Sequence, residues 1–304
     1  MVDPRASWQS RALLGVLRLY ALRRRDGVMS YRGVRRTLER AGERLRPAAD
    51  VRWAAVDIEG VPGEWVQTPG AWSERVVLYL HGGGFVGGSA RGHRSLTGEV
   101  SRAAQARVLA IDYRLAPEHP FPAAVDDAVI AYTWLLGQGF APGKIAVAGD
   151  SAGGGLTISL LLALRERGLP APSCGVCLSP WVDLEGAGAS IRSHAHLDPM
   201  LMPRGIEVMA RHYVGEAGDL RHPMASPIHA VLSKLPPLLV QVGALEVLLD
   251  DSVRLVDRVR AAGGRAELEV WPHMVHVWQF FRFLPEARRA LDRVGAFIRG
   301  HIRG

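Results

Sequence analysis

From residue 76 onward, short apolar runs alternate with longer amphipathic segments, and this rhythm limits the chain to few architectures. The runs are Val76–Leu80, Val108–Tyr113, Ile145–Ala148, Gly175–Leu178, Leu238–Val242 and Ala266–Trp271. Each is too short for a stable helix and reads as a strand buried on both faces. Helical patterns fall between and after them, near 93–106, 123–137, 152–167, 248–262 and 284–302. Strands alternating with helices predict βαβ crossovers and a mostly parallel sheet flanked by helices. Upstream, Val51–Ile58 and Glu64–Thr68 read as two more strands, with Pro62-Gly63 as the turn.

The rhythm breaks at both ends of this region. Residues 9–25 read as an amphipathic helix with the stripe Leu13, Val16, Leu17 and Tyr20, and with Arg11, Arg18 and Arg25 beside it. Ser30 is placed to cap a second basic helix through about Leu45. Between Leu178 and Leu238 lie about sixty residues rich in turn formers, with one helix near 203–214. That is too long for a simple connection. It predicts an insertion over the C-terminal edge of the sheet, where α/β folds carry their sites. The expected organisation is cap helices in 1–45, a core in 46–180, a cap insertion in 181–225 and the rest of the core in 226–304.

Composition excludes several classes. The 304 residues are 48% hydrophobic and 22% charged, as in ordinary globular proteins. Two cysteines cannot staple a chain of this length. No apolar run approaches the ~20 residues of a membrane span. The apolar run Leu13–Leu22 is interrupted by Arg18, runs into Arg23, Arg24 and Arg25, and lacks a small-residue cleavage site. A soluble, cytoplasmic protein without stable membrane insertion is expected. The net charge of +7 invites a nucleic-acid reading, but residues 1–50 hold twelve arginines against five acidic residues and so carry all of it. Only Lys144 and Lys234 are lysines. A uniform preference for arginine over a balanced body predicts no nucleic-acid partner.

Two motifs carry chemistry. Gly149-Asp150-Ser151-Ala152-Gly153 fits G-x-S-x-G between a strand and a helix, the context of a nucleophile elbow. His81-Gly82-Gly83-Gly84 follows the strand Val76–Leu80. Consecutive glycines let backbone N–H groups approach a reacting oxygen, as an oxyanion hole requires. A phosphate cradle is the other use of such a loop, but the P-loop lysine and the dinucleotide spacing are both missing.

These segments, with Asp112-Tyr-Arg-Leu-Ala-Pro-Glu118, Glu246-Val-Leu-Leu-Asp250-Asp251-Ser252 and His276 after Trp271-Pro272, resemble the hormone-sensitive-lipase family of α/β-hydrolase esterases. The resemblance runs from about residue 55 to the C-terminus, and the Asp before the serine matches the bacterial GDSAG branch. It implies an α/β-hydrolase fold with a helical cap, Ser151 as nucleophile, His276 as general base and Glu246 as orienting acid. It implies an oxyanion hole from the N–H groups of Gly83, Gly84 and Ala152. It also implies cis bonds at Ala116-Pro117 and Phe121-Pro122, and a homodimer through the last strand, 267–271.

The expected activity is hydrolysis of short to medium acyl esters through an acyl-enzyme. Amide deacetylation or lactone hydrolysis would use the same triad. A small-molecule receptor is disfavoured, because the receptors resembling this family lack the histidine present here. Glu246 stands where the family usually has Asp; it lies in the loop after strand Leu238–Val242, whereas Asp250 and Asp251 fall a turn later in a helix. Phe85, Trp181, Leu201, Met202, Met209, Tyr213 and Trp278 are candidates for an apolar substrate pocket. No cofactor and no metal are expected: His194 and His196 lack a third ligand at zinc-like spacing. Of the remaining histidines, His273 competes with His276, His81 is expected to brace the glycine loop, and His119, His212, His222 and His229 are expected at surface or structural positions. Cys174-Gly-Val-Cys177 falls on a strand, where the two side chains point to opposite faces and cannot pair. Arg114 and Glu118 are expected to form an ion pair bracing the turn behind the glycine loop. The basic N-terminal segment has two readings, a lid that also meets anionic lipid surfaces or a helix that shields the pocket and leaves its arginines in water, and the second is the one expected.

Overall fold

The computed structural model describes residues 6–22 and 29–302. The end of the first predicted helix, with Arg23, Arg24 and Arg25, lies outside the described residues. Helices α1 (Trp8–Leu22) and α2 (Tyr31–Arg44) precede the strands β1 (Arg52–Ile58), β2 (Val61–Gln67) and β3 (Trp72–Leu80). Then follow α3 (Ala90–Ala104), β4 (Ala106–Ile111), α4 (Ala123–Gly137), β5 (Ile145–Asp150), α5 (Ala152–Glu166) and β6 (Cys174–Leu178). The insertion holds α6 (Ser190–Ser193) and α7 (Pro203–Val214), and the chain closes with β7 (Leu238–Gly243), α8 (Leu249–Ala261), β8 (Ala266–Trp271) and α9 (Pro285–His301).

The strands form one sheet in the order β1-β2-β4-β3-β5-β6-β7-β8. From β4 to β8 every pairing is parallel, while β2 runs antiparallel to both its neighbours. The crossovers cover both faces, which is why the inner strands are apolar on both sides. Leu96, Val100 and Ala104 of α3 and Val294, Phe297 and Ile298 of α9 pack on Val77, Tyr79 and Val108. On the opposite face, α4 and α5 bury Leu135, Leu156 and Leu160 against Val76, Leu78 and Val147. Helix α8 adds Leu255, Val256 and Val259 over Leu238 and Val240. Cys174 and Cys177 fall in different clusters on opposite faces, both free and buried. Burial pushes the Cys174 thiol up to about 12 and raises Cys177 as well, so neither offers a reactive thiolate.

The first hairpin turns earlier than the sequence suggested. Ile58 pairs with Val61 across Glu59-Gly60, and both turn residues have positive φ. That is the two-residue turn whose twist suits a hairpin. Pro62 and Gly63 lie inside β2; Pro62 gives its carbonyl to the Asp112 N–H at 2.8 Å. The peptide bonds Ala116-Pro117 and Phe121-Pro122 are cis, as expected.

Arg114 and Glu118 do not pair with each other. Arg114 binds the buried Asp127 of α4, with Nη2 2.7 Å from Oδ1. Glu118 faces outward to Arg35 of α2 at 2.6 Å. The turn splays the two side chains toward different helices, so one ion pair becomes two. Arg35 also donates to the carbonyls of Val86 (2.7 Å) and Ala116 (3.0 Å), joining α2 to the segment after the glycine loop.

Helix α1 also departs from the predicted stripe. Leu13, Leu14 and Leu17 pack inward on a cluster containing Trp271, Met274, Val275 and Trp278. Val16 and Tyr20, predicted on that face, are exposed. At the N-terminal end, the Glu286 carboxylate accepts the Ser7 N–H (2.8 Å) and hydroxyl (3.0 Å). Helices α2 and α7 meet where the rings of Tyr31 and His212 cross edge-on at 5.5 Å. No helix among the described residues is long and apolar enough to cross a membrane.

Candidate active site

The loops at the C-terminal ends of β3, β5, β7 and β8 bring together four segments distant in sequence. Ser151 joins β5 to α5 with φ 54° and ψ −121°, a conformation costly for a non-glycine residue. Its backbone is clamped on both sides: its N–H donates to Leu178 O at 2.8 Å, and its carbonyl accepts from Trp181 N at 3.0 Å. The following turn runs hard against β3, and a Cβ on Gly153 would lie 2.0 Å from Leu80 O. Only glycine fits there, which is the physical content of the motif. The hydroxyl is thereby presented beside the positive end of α5.

His276 Nε2 lies 2.9 Å from Ser151 Oγ, and His276 Nδ1 lies 2.7 Å from Glu246 Oε2. The other carboxylate oxygen of Glu246 accepts the Ser179 hydroxyl at 2.7 Å and the Gly243 N–H at 2.5 Å. Glu246 is fully buried and His276 nearly so. Burial opposes a charged imidazole, but the hydrogen bond and charge of Glu246, with Asp198 and Asp150 beyond, outweigh it and hold His276 above its ordinary value of 6.5. The geometry supports proton transfer from Ser151 Oγ to His276 Nε2, with the charge stabilised by Glu246.

The competing groups are engaged elsewhere. His273 is exposed, in the turn before His276. Asp250 Oδ2 accepts the Ser190 N–H at 2.9 Å. Asp251 Oδ2 accepts the N–H groups of Val182 and Asp183 at 2.9 and 3.0 Å. Burial pushes Asp251 up to about 8, so this carboxyl is largely protonated at neutral pH. Both aspartates fasten the insertion to α8, and neither faces the imidazole.

The glycine loop passes close to the elbow. Gly83 and Gly84 have φ of 126° and 64°, and their N–H groups bond to no acceptor among the described residues. Ala152 opens α5, where the helix supplies no acceptor for its N–H. The loop is fixed from behind by Asp150, whose Oδ1 accepts Tyr79 Oη (2.8 Å) and Gly82 N (3.1 Å) and lies 3.3 Å from His93 Nε2. His81 Nδ1 donates to Gly82 O at 2.9 Å while its ring stacks on Tyr113. Burial lowers His81 to about 3, so it stays neutral and braces the loop as expected.

The candidate pocket residues divide. Phe85 stacks on Tyr213 at 3.6 Å and lies 6.0 Å from Trp181, all three buried. Leu201 and Met209 pack on the same cluster, and a Cβ on Gly84 would meet the Met209 sulfur at 2.2 Å. Trp278 instead packs with Trp271 in the cluster beneath α1, and Met202 is 47% exposed at the start of α7.

Two polar residues escaped the sequence reading. Ser179, with φ 48°, donates to Glu246 and accepts the Val277 N–H at 3.2 Å, linking Glu246 to the loop that carries His276. Its position just past a strand end was the only available signal. Asp198, in the insertion, accepts the Met200, Leu201 and Val247 N–H groups and is buried. Nothing in its local sequence marks it. Among the described residues, one group suits a cation by spacing: Asp183, Glu185 and His229 bring three ligand atoms within 4.8 Å of one another. Arg254 already binds Asp183 Oδ2 at 2.5 Å, which neutralises that group.

Sheet order, elbow, glycine loop and the Ser–His–Glu line together define an α/β hydrolase with a serine site. Residues 77–280 match the family model described as alpha/beta hydrolase fold. An esterase of the bacterial hormone-sensitive lipase family superposes with a TM-score of 0.93 at 45% identity, covering 98% of this chain and 100% of that one. A second solved esterase, EstE5, soaked with p-nitrophenyl butyrate, also gives 0.93 at 45% identity, over 97% of this chain and 99% of its own. An acetyl-hydrolase of Streptomyces hygroscopicus is 46% identical over 254 residues, 83% of each chain. The chain belongs to the alpha/beta hydrolase family, in its bacterial hormone-sensitive-lipase group, and is an ester hydrolase of the carboxylesterase type.

Proposed function

We propose that this enzyme hydrolyses carboxylic esters of short to medium acyl chains through a Ser151 acyl-enzyme. The hydrogen-bonded line from Ser151 Oγ through His276 to Glu246 carries this reading. Ser151 Oγ attacks the ester carbonyl carbon while His276 Nε2 takes its proton. The carbonyl oxygen becomes an oxyanion held by the N–H groups of Gly83, Gly84 and Ala152. The tetrahedral intermediate collapses, the C–O bond to the alcohol breaks, and His276 returns the proton to the leaving oxygen. Water then attacks the acyl carbon, giving its proton to His276; the bond from the acyl carbon to Ser151 Oγ breaks, His276 returns that proton to Oγ, and the carboxylic acid leaves. Glu246 keeps Nδ1 protonated throughout.

The chain-length reading rests on apolar side chains near the serine: Phe85 packs on both Trp181, whose N–H bonds to the Ser151 carbonyl, and Tyr213, with Met209 against Gly84. Met202 and Trp278 would contribute less to it. In this proposal residues 1–45 and 181–225 form the cap, joined where Tyr31 meets His212. The enzyme acts in the cytoplasm. It pairs as a homodimer through β8, whose outer edge ends the sheet.

A chromogenic ester series from acetate to decanoate tests the activity. Turnover is expected to be highest among the shorter chains and to vanish in Ser151→Ala. A preference for decanoate, or turnover surviving in Ser151→Ala, overturns the reading. A monomeric mass by light scattering overturns the dimer.

A further inference from the structure

Helix α1 is apolar on both sides, although one side suffices to hold it on the core. Leu13, Leu14 and Leu17 face inward. Outward, Trp8 is 76% exposed, Val16 64%, Leu19 63% and Leu22 52%. Ala12 and Gly15 are exposed between them. At 3.6 residues per turn, Trp8, Ala12, Gly15, Leu19 and Leu22 fall in one stripe about 80° wide, with Val16 along one border. Arg11 and Arg18, both exposed, lie along the other border. Helix α1 contains no acidic residue. A contiguous outward apolar face marks an interaction surface.

Charge decides what that surface fits. Against a second copy in a two-fold pair, α1 would meet its own arginines, with no carboxylate on either helix to answer them. An anionic lipid surface answers both features: it takes up the apolar stripe at the headgroup boundary and pairs its phosphates with the flanking arginines. The chain's whole +7 excess lies within residues 1–50. The inward leucines rest on Met274 and Val275, which precede His276, so the same helix backs the loop of the base. We propose that α1 docks this enzyme reversibly on an anionic lipid surface, with Trp8, Val16, Leu19 and Leu22 at the headgroup boundary and Arg11 and Arg18 on the phosphates.

Co-sedimentation tests this with vesicles of phosphatidylcholine alone and of phosphatidylcholine mixed with phosphatidylglycerol. The full chain is expected to sediment with the anionic vesicles, less at high salt, and to stay in solution with the neutral ones. Val16→Glu/Leu19→Glu should abolish sedimentation, and Arg11→Gln/Arg18→Gln should weaken it roughly tenfold or more. Trp8→Gln is the milder second variant and should weaken it in the same direction. All variants should keep wild-type kcat/KM on a water-soluble acetate ester and wild-type melting, which separates lost docking from lost folding or lost catalysis. The proposal is overturned if the wild type ignores anionic vesicles, or if Val16→Glu/Leu19→Glu still sediments. It is equally overturned if the wild type self-associates through α1 and those substitutions yield monomers while vesicles bind neither form.

Discussion

His93 and Asp150 form a buried ion pair behind the glycine loop, with Nε2 3.3 Å from Oδ1. The other imidazole nitrogen lies 2.9 Å from Ser89 O, a carbonyl that can only accept. The carboxylate oxygen already accepts from Tyr79 and Gly82. Both ring nitrogens therefore face acceptors, and the imidazole carries both protons. Burial opposes this, but the charge and hydrogen bond of Asp150, with Ser89 O and the more distant Asp112, raise His93 above 6.5. Burial likewise opposes the Asp150 carboxylate, and His93 and Tyr79 hold it below 3.8. Neutral His81, Tyr79 and the edge of Phe280 complete the surroundings of the His93 ring.

This pair predicts a window of stability. The His93 contribution is complete below its unfolded value of 6.5 and is lost as pH rises through the raised folded value. The Asp150 contribution is complete above 3.8 and is lost as pH falls through the lowered folded value. His93→Leu should cost about 3 kcal/mol inside that window, because it leaves a buried carboxylate unpaired. The cost should shrink as pH rises above the folded His93 value. Denaturant unfolding of both proteins across that range checks this, and a pH-independent difference would contradict it.

The acid assignment separates two neighbouring carboxylates. Glu246→Gln should keep the fold and lower kcat by about 10³–10⁴-fold, since the imidazole loses its orienting charge. Asp250→Asn should leave most activity intact, because Asp250 holds only the Ser190 backbone and lies off the His276 line. Steady-state kinetics on one chromogenic ester decides; the reverse ranking would move the role to the later carboxylate.

Asp198, in the insertion, also favours a protonated His276 when it is ionised, although burial raises its own carboxyl above the usual carboxylate range. His276 must be neutral to accept a proton, so kcat/KM rises with pH through its raised value. Asp198→Asn should lower that value, moving the acid limb to lower pH. A purely structural role would reduce kcat/KM without moving the limb. The pH profile of kcat/KM distinguishes the two.

Arg35 couples α2 to the segment after the glycine loop through Val86 O and Ala116 O. Arg35→Ala should destabilise the protein by about 2 kcal/mol, because two carbonyls lose a charged donor. It should also lower kcat. Glu118→Gln removes only a half-exposed partner and should cost under about 1 kcal/mol. Thermal melts with parallel kinetics measure both.

Local chemistry was readable wherever one short segment sets its own geometry. The elbow at Ser151 and the loop at Gly83 and Gly84 need glycines at fixed offsets, and the inner strands must be apolar on both faces, so each left a pattern in the sequence. The resemblance pointed to the segment of Glu246, and its place in the loop between β7, which ends at Gly243, and α8, which begins at Leu249, set it apart from Asp250 and Asp251. Pairing across long separations left no such pattern. Arg114 chose Asp127 over Glu118, Trp278 packed under α1 rather than beside Phe85, and pairing of Gly63 with Ile111 of β4 kept Pro62-Gly63 in β2, so that the turn formed at Glu59-Gly60.

By itself the sequence determined the order of strands and helices, the elbow and the glycine loop, because periodicity and backbone conformation are local properties; Glu246 and His276 were singled out by the resemblance of their segments to the esterase family. Only the tertiary structure decided which charges meet and which faces of α1 are covered. It alone placed Ser179 and Asp198 around the Glu246 loop, and it set His93 against Asp150. Those outcomes depend on which elements pack side by side, and a buried polar group takes whatever partner that packing brings within hydrogen-bond reach.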